Sequence, residues 1–295
     1  MPAHNKTLVT GSTGQLATAL ARAGGAGVTV LGRPTFDFEQ PDTLLDPVRR
    51  AAPGVVVNAA AYTAVDRAES EPEAAMRANR DGPAALARYC AEAGIPLIHV
   101  STDYVFDGAK GAPYVEDDPT SPTGIYGASK LAGEQAVLAL CPRAIVLRSS
   151  WIYAPYGRNF VLTMLNAAQK TDRLRVVADQ RGCPSSAEDL AAAILGIASR
   201  LRDEWQPGWS GIYHAAGSGE TTWHGLAEAV FEAAARHGRP RPVVEAIATA
   251  DWPTPARRPA DSRLDCGKLA DIFGVRLPEW RPSVARTVDA VLAAG

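Results

Sequence analysis

Five short runs of branched and apolar residues, each followed by a stretch long enough for a helix, constrain this chain more than any other feature. The runs are Thr7–Thr10, Val28–Leu31, Val55–Ala59, Leu97–Ser101 and Ala144–Arg148. Strands without polar alternation bury both faces, and a parallel sheet covered by helices on each side is the arrangement that permits it. The stretches Gln15–Ala23, Thr43–Ala52, Glu73–Ala93 and Gly127–Leu140 suit crossover helices, and right-handed crossovers distribute them over both faces. The expected fold class is α/β, a Rossmann-type doubly wound parallel sheet. Beyond Ser149 the pattern loosens. Arg175–Val177 reads as one more strand, Ser186–Leu201 as a helix, and Trp223–His237 as another among Pro- and Trp-containing loops. No flexible linker intervenes, so the expected division is a sheet domain of residues 1–149 plus roughly 172–202, with a smaller interleaved lobe of roughly 150–171 and 203–295.

Composition removes several function classes. Thirty basic residues against 32 acidic ones leave a formal charge of −2. No global field therefore exists to hold nucleic acid or an anionic membrane. The four cysteines, Cys90, Cys141, Cys183 and Cys266, are widely spaced and read as reduced structural thiols. No signal-peptide pattern or membrane-spanning run is visible, which makes a cytoplasmic protein the expectation. The histidines lack metal-ligand spacing, and His99, inside an apolar strand, reads as a satisfied core residue. Only five of the basic residues are lysines, which singles out Lys130.

After the first strand the chain reads Gly11-Ser12-Thr13-Gly14-Gln15-Leu16-Ala17. Glycines permit a sharp strand-to-helix turn and close approach of backbone N–H groups to a diphosphate, with the helix N-terminus adding a favourable dipole. An acidic residue at the end of the second strand would select NAD by binding the ribose 2′-hydroxyl. Arg33 stands there instead, with Asp37 further on. An arginine suits a 2′-phosphate, so NADPH is favoured and NADH is the alternative.

The sharpest chemical signal is Tyr126-Gly127-Ala128-Ser129-Lys130. Residues four apart share a helix face, and an ammonium beside a phenol favours the phenolate, lowering its pKa toward the working range. Thr102, at the end of an upstream strand, adds a hydroxyl able to bond the tyrosine or a carbonyl oxygen placed before it.

In that order, the glycine turn, the hydroxyl and Y-x-x-x-K resemble the short-chain dehydrogenase/reductase superfamily. Further strings narrow the likeness: Asn58-Ala59-Ala60-Ala61-Tyr62-Thr63-Ala64-Val65-Asp66 with Ala68-Glu69, Ser101-Thr102-Asp103-Tyr104-Val105-Phe106-Asp107-Gly108, Lys130-Leu131-Ala132-Gly133-Glu134, Arg148-Ser149-Ser150-Trp151, Thr221-Thr222-Trp223-His224 and Arg258-Pro259-Ala260-Asp261. From about residue 7 to 282 the chain resembles the dTDP-4-dehydrorhamnose reductase family.

That resemblance implies an NADPH-dependent reductase of the C4 carbonyl of a dTDP-linked 4-keto-6-deoxyhexose. Tyr126 would donate the proton, Lys130 would hold the nicotinamide ribose, and Thr102 would orient the carbonyl. Gly11, Gly14, Gln15 and Leu16 would cover the cofactor diphosphate. Asp37 and Phe38 would lie near its adenosine, and Ala61, Tyr62 and Thr63 on the nicotinamide side. Asp103 and Trp151 would bind the deoxyhexose, while Asn159, Trp223 and Arg258 would serve the nucleotide-diphosphate portion. Some family members join two subunits through magnesium held by three glutamates. Only Glu188 matches, with Ala19 and Ala290 at the other positions. The expectation is therefore no metal site, and a monomer or weak dimer. Two alternatives stay open: a 4-ketoreductase for another dTDP-deoxysugar, and a non-catalytic subunit like the regulatory partner of methionine adenosyltransferase.

Overall fold

The structure, a computed structural model, describes residues 6–38 and 41–293; His4 lies outside them. Its centre is a six-stranded, all-parallel sheet. Strand β1 (Thr7–Thr10) pairs with β2 (Val28–Leu31) on one side and β3 (Val55–Asn58) on the other. Beyond β3 come β4 (Leu97–Thr102), β5 (Ala144–Ser149) and the edge strand Gly211–His214.

Alternate residues of these strands enter separate cores. Val9, Val57, Ile98, Ile145 and Leu147 meet Leu16 and Leu20 of helix α1 (Gln15–Gly24) and Leu190, Ile194 and Ile197 of the helix Ala187–Asp203. Leu8, Val56, Leu97 and Val146 meet Leu86, Cys90 and Val137 on the opposite face. The doubly wound sheet expected from the apolar runs is present because each strand buries both faces. A third core gathers Val161, Leu165, Leu226, Val230, Phe231, Trp280, Val284 and Val288 from the later part of the chain. Among the described residues no helix is long and apolar enough to cross a membrane.

Two segments sit otherwise than the sequence placed them. The strand Arg173–Val177, grouped by sequence with the sheet domain, pairs instead with Val243–Ile247 in a two-stranded ribbon. Gly211–His214, grouped with the smaller lobe, supplies the sixth strand of the sheet. Arg173 and Arg175 are both exposed, and a sheet covered on both faces has no place for them. The expected helix Glu73–Ala93 also carries an interruption. It runs from Pro72 to Met76, passes through a π-helical turn at Arg77–Asp81, and resumes over Gly82–Ala93.

Candidate active site

Strand β2 is added on one side of β1 and β3 on the other, so the connections leaving the carboxyl ends of β1 and β3 run to opposite faces, the switch point at which such sheets hold a ligand in a crevice. Gly11, at φ +98°, makes the turn; a Cβ there would lie 3.0 Å from the Cα of Ala60. Gly14 opens α1 without a side-chain cap, and the first turn carries no acid. The positive end of that helix is thus left for an outside anion, which fits a dinucleotide diphosphate. Leu16 is buried against the sheet, so its contribution there is backbone. At the end of β2, Arg33 Nε lies 3.0 Å from Asp37 Oδ2. Phe38, expected beside adenosine, is a core residue: its ring meets Phe36 edge-on at 5.1 Å, and a Cβ on Gly82 would lie 2.0 Å from it.

Tyr126 and Lys130 lie in the first turns of the helix Ile125–Leu140, beside the carboxyl end of β4. Lys130 is 2% exposed and donates to the Val100 carbonyl at 2.7 Å. Burial pulls its pKa down to about 8, with the Glu134 carboxylate opposing. The Tyr126 phenol is pushed above its ordinary pKa, first by burial, with the Thr102 hydroxyl acting against the shift. The sequence expectation was a phenol lowered by the ammonium. Here the ammonium is turned to the β4 backbone and desolvation dominates, so the phenol keeps its proton. That is the form a proton donor needs. Thr102 donates to Asp103 Oδ1 at 3.0 Å and accepts from the Tyr104 N–H at 3.2 Å.

Asn79, fully buried in the π-helical turn, was missed in the sequence. It accepts from the Tyr62 N–H at 2.8 Å and donates to the Tyr62 carbonyl at 3.1 Å and to Ser129 Oγ at 2.9 Å. Ser129 in turn donates to the Tyr126 carbonyl at 2.8 Å. The turn arises where Pro83 offers no N–H to the Asn79 carbonyl. That carbonyl is approached by Gly133, where a Cβ would lie only 2.0 Å away. Tyr62 also donates its hydroxyl to Glu71 at 2.6 Å, while Thr63 is exposed beyond it. His99 is only half satisfied. Its Nδ1 accepts from Asn58 at 2.9 Å, Asn58 accepts from Thr10 at 2.6 Å, and Nε2 has no partner.

Of the residues expected to hold the sugar nucleotide, Asp103 follows Thr102 directly in the chain. It is 2% exposed and its Oδ2 has no partner of hydrogen-bond geometry. Burial pushes its pKa up to about 6 against the Ser262 and Thr102 hydroxyls. A raised carboxyl makes the folded chain bind more protons than the unfolded one between pH about 4 and 6, so its contribution to stability falls across that window and is level above it. The stability of Asp103→Asn relative to the unsubstituted chain should therefore rise from pH 4 to 6 and then plateau. Urea melts at stepped pH measure this, and a difference independent of pH would contradict it.

Trp151 and Trp223 were expected on separate parts of the ligand. They stack on one another, ring centres 3.6 Å apart and 7° from parallel, with Trp223 Nε1 donating to Gln180. Asn159 departs further from expectation. Its carbonyl oxygen caps the helix Phe160–Ala167 at the Leu162 N–H, and its amide donates to Gln15, Ala154 and Tyr156. With both ends spent, it tethers the lobe to the glycine turn. Arg258 donates to Asp66 at 2.8 Å and to the Tyr104 hydroxyl at 3.3 Å. A buried pair was also absent from the sequence reading: Glu134, one turn after Lys130, takes Nε and Nη2 of Arg148 at 2.7 to 3.2 Å.

The family model described as the RmlD substrate binding domain matches residues 5–293. A dTDP-4-dehydrorhamnose reductase of Sinorhizobium fredii is 49% identical over 289 residues, covering 97% of this chain and 98% of the relative. One from Burkholderia thailandensis is 42% identical over 296 residues, 98% and 99% of the two chains. Among solved structures, the dTDP-4-dehydrorhamnose reductase of Bacillus anthracis in complex with NADP superposes with a TM-score of 0.88 at 30% identity, covering 97% of this chain and 99% of that one.

Proposed function

The chain belongs to the family of the RmlD substrate binding domain, the dTDP-4-dehydrorhamnose reductases, and from that premise we propose that it reduces the C4 carbonyl of dTDP-4-dehydro-L-rhamnose to dTDP-L-rhamnose, with Tyr126 as proton donor. It is an oxidoreductase whose cofactor is NADPH. The observation that carries the residue assignment is one helix face presenting half-buried Tyr126 and buried Lys130 beside Thr102 at the end of β4.

Bound NADPH supplies the hydride that reaches the sugar C4. The chain supplies the proton and the geometry. The protonated Tyr126 hydroxyl donates to the carbonyl oxygen as negative charge grows on it, leaving a phenolate beside the Thr102 hydroxyl and one helical turn from the Lys130 ammonium. Lys130, with a pKa of about 8, is largely charged at neutral pH and suits the nicotinamide ribose hydroxyls. Asp103 Oδ2, a buried acceptor with no hydrogen-bond partner among the described residues, is assigned to a sugar hydroxyl. The sheet domain, with the helix Ala187–Asp203 and the edge strand Gly211–His214, is assigned to NADPH; the lobe of residues 150–171 and the remaining C-terminal part is assigned to the sugar nucleotide.

Purified chain given NADPH and dTDP-4-dehydro-L-rhamnose should consume the reduced nicotinamide and yield dTDP-L-rhamnose by NMR. No consumption would refute the reading, and a different C4 alcohol would reassign the substrate. For the cofactor, Arg33→Ala should raise the KM for NADPH about ten- to a hundredfold, the loss of a charge-assisted bond, and leave the KM for NADH unchanged. Equal effects on the two cofactors would remove Arg33 from the 2′-phosphate.

A further inference from the structure

The stretch Val65-Asp66 with Ala68-Glu69 carries no role in the reaction as described, yet it bonds to two distant segments of the chain. It forms the short helix Val65–Ala68 just beyond the nicotinamide-side loop. On one side, Asp66 Oδ1 accepts the Ala256 N–H at 3.2 Å and Oδ2 accepts Arg258 Nη2 at 2.8 Å, from chain 190 and 192 residues away. On the other, Glu69 Oε1 accepts the N–H of Ile125 at 2.8 Å. Ile125 begins the helix of Tyr126, and its cap residue, Gly124, has no side chain to take that orphan donor.

The geometry points to Asp66 and Glu69 as positioning residues that act on two different parts of the reductase. Asp66 anchors the segment 254–258 and fixes the direction of Arg258, and Glu69 fixes the start of the helix that carries Tyr126. The inference rests on the reductase reading above. Of the five N–H donors of a guanidinium, Asp66 and Tyr104 occupy one each. The rest are left to meet a diphosphate in an orientation the carboxylate sets, much as an orienting partner preorganises a ligand-binding group. The Tyr104 ring that receives Arg258 meets Tyr126 edge-on, centres 5.6 Å apart. Removing Asp66 therefore costs affinity for the nucleotide diphosphate. Removing the Glu69 acceptor lets the first helical turn fray and costs turnover.

Five variants, followed by steady-state kinetics, calorimetry and thermal melts, separate these roles. Asp66→Asn, which retains an oxygen for Ala256 but not the charge for Arg258, should raise the KM for the sugar nucleotide and the Kd for dTDP by calorimetry about tenfold. Its kcat, its KM for NADPH and its melting temperature should stay near those of the unsubstituted chain. Combined with Arg258→Gln it should lose no more affinity than Arg258→Gln alone, because Asp66 acts through that arginine. Glu69→Ala should lower kcat about tenfold at unchanged KM, and Glu69→Gln, which keeps the acceptor, should restore it. Additive losses in the double variant, an unchanged dTDP affinity, or an early melt that accounts for the loss would each overturn the role of Asp66. A Glu69→Ala effect on KM alone, or no rescue by glutamine, would overturn that of Glu69. An unsubstituted chain that neither turns over nor binds dTDP would overturn the reductase reading and this inference together; an active one with indifferent variants would overturn the inference alone.

Discussion

Tyr126→Phe should lower kcat by about a thousandfold, within the 10²- to 10⁴-fold range of general acid catalysis, while the KM values of both substrates move by less than about threefold. The substitution deletes one oxygen and leaves the ring against Tyr104. Binding is spared because the phenol's proton is needed only as charge develops on the carbonyl oxygen, an interaction confined to the transition state. Burial pushes the phenol above its ordinary pKa, so the hydroxyl carries its proton throughout the neutral range, and phenylalanine has none to give. Steady-state kinetics with NADPH and the 4-keto sugar nucleotide measure the effect. A variant retaining a tenth or more of normal turnover would require another proton donor.

The largest stability effect should come from Glu134→Gln. Arg148 and Glu134 are 1% exposed each, joined by a fork of bonds, with the guanidinium 5.0 Å from the Phe106 ring centre. Removing one charge strands the other in a medium that cannot solvate it, at a cost of about 3–5 kcal/mol. In a chain of 295 residues that corresponds to roughly 5–8 °C in Tm. Replacing both residues by apolar ones, as in Glu134→Leu with Arg148→Met, should recover most of the loss. Thermal and urea melts test this, and a single-variant loss under about 1 kcal/mol would show the pair to be better solvated than its burial implies. Catalysis should register the change too. The Glu134 carboxylate supports the Lys130 charge, so its removal lowers the Lys130 pKa below about 8 and moves the alkaline limb of activity to lower pH.

Much of the fold was legible because it rests on local period. Thr7–Thr10 and Val28–Leu31 have the expected boundaries, and β3, β4 and β5 agree to within a residue at their carboxyl ends. Apolar runs between helix-length stretches report burial on both faces, whatever the partners. The π-helical turn left no comparable mark. Arg77–Asp81 reads as ordinary helix, and only Pro83, with no N–H to give, hinted that Asn79 would be turned toward Tyr62 and Ser129.

For the candidate site the division is similar. Tyr126 and Lys130 were readable because four residues make one helical turn, and Thr102 because it ends a strand. Asn159 was assigned to ligand from the string around it, but spacing does not reveal where a side chain's bonds are already made: a helix terminus, Gln15 and two carbonyls hold it. Nor does spacing reveal that Asp66 is the partner of Arg258.

The sequence by itself determined the layered α/β architecture, the glycine turn after the first strand and the placement of Tyr126 and Lys130 one turn apart on a helix, because each depends on neighbours within one strand or one turn. Only the tertiary structure decided which strand closes the sheet, how Glu134 meets Arg148, and that Asp66 reaches across 192 residues to Arg258. Contacts of that kind follow from how layers pack and which charges are excluded from water. No periodicity along the chain encodes either.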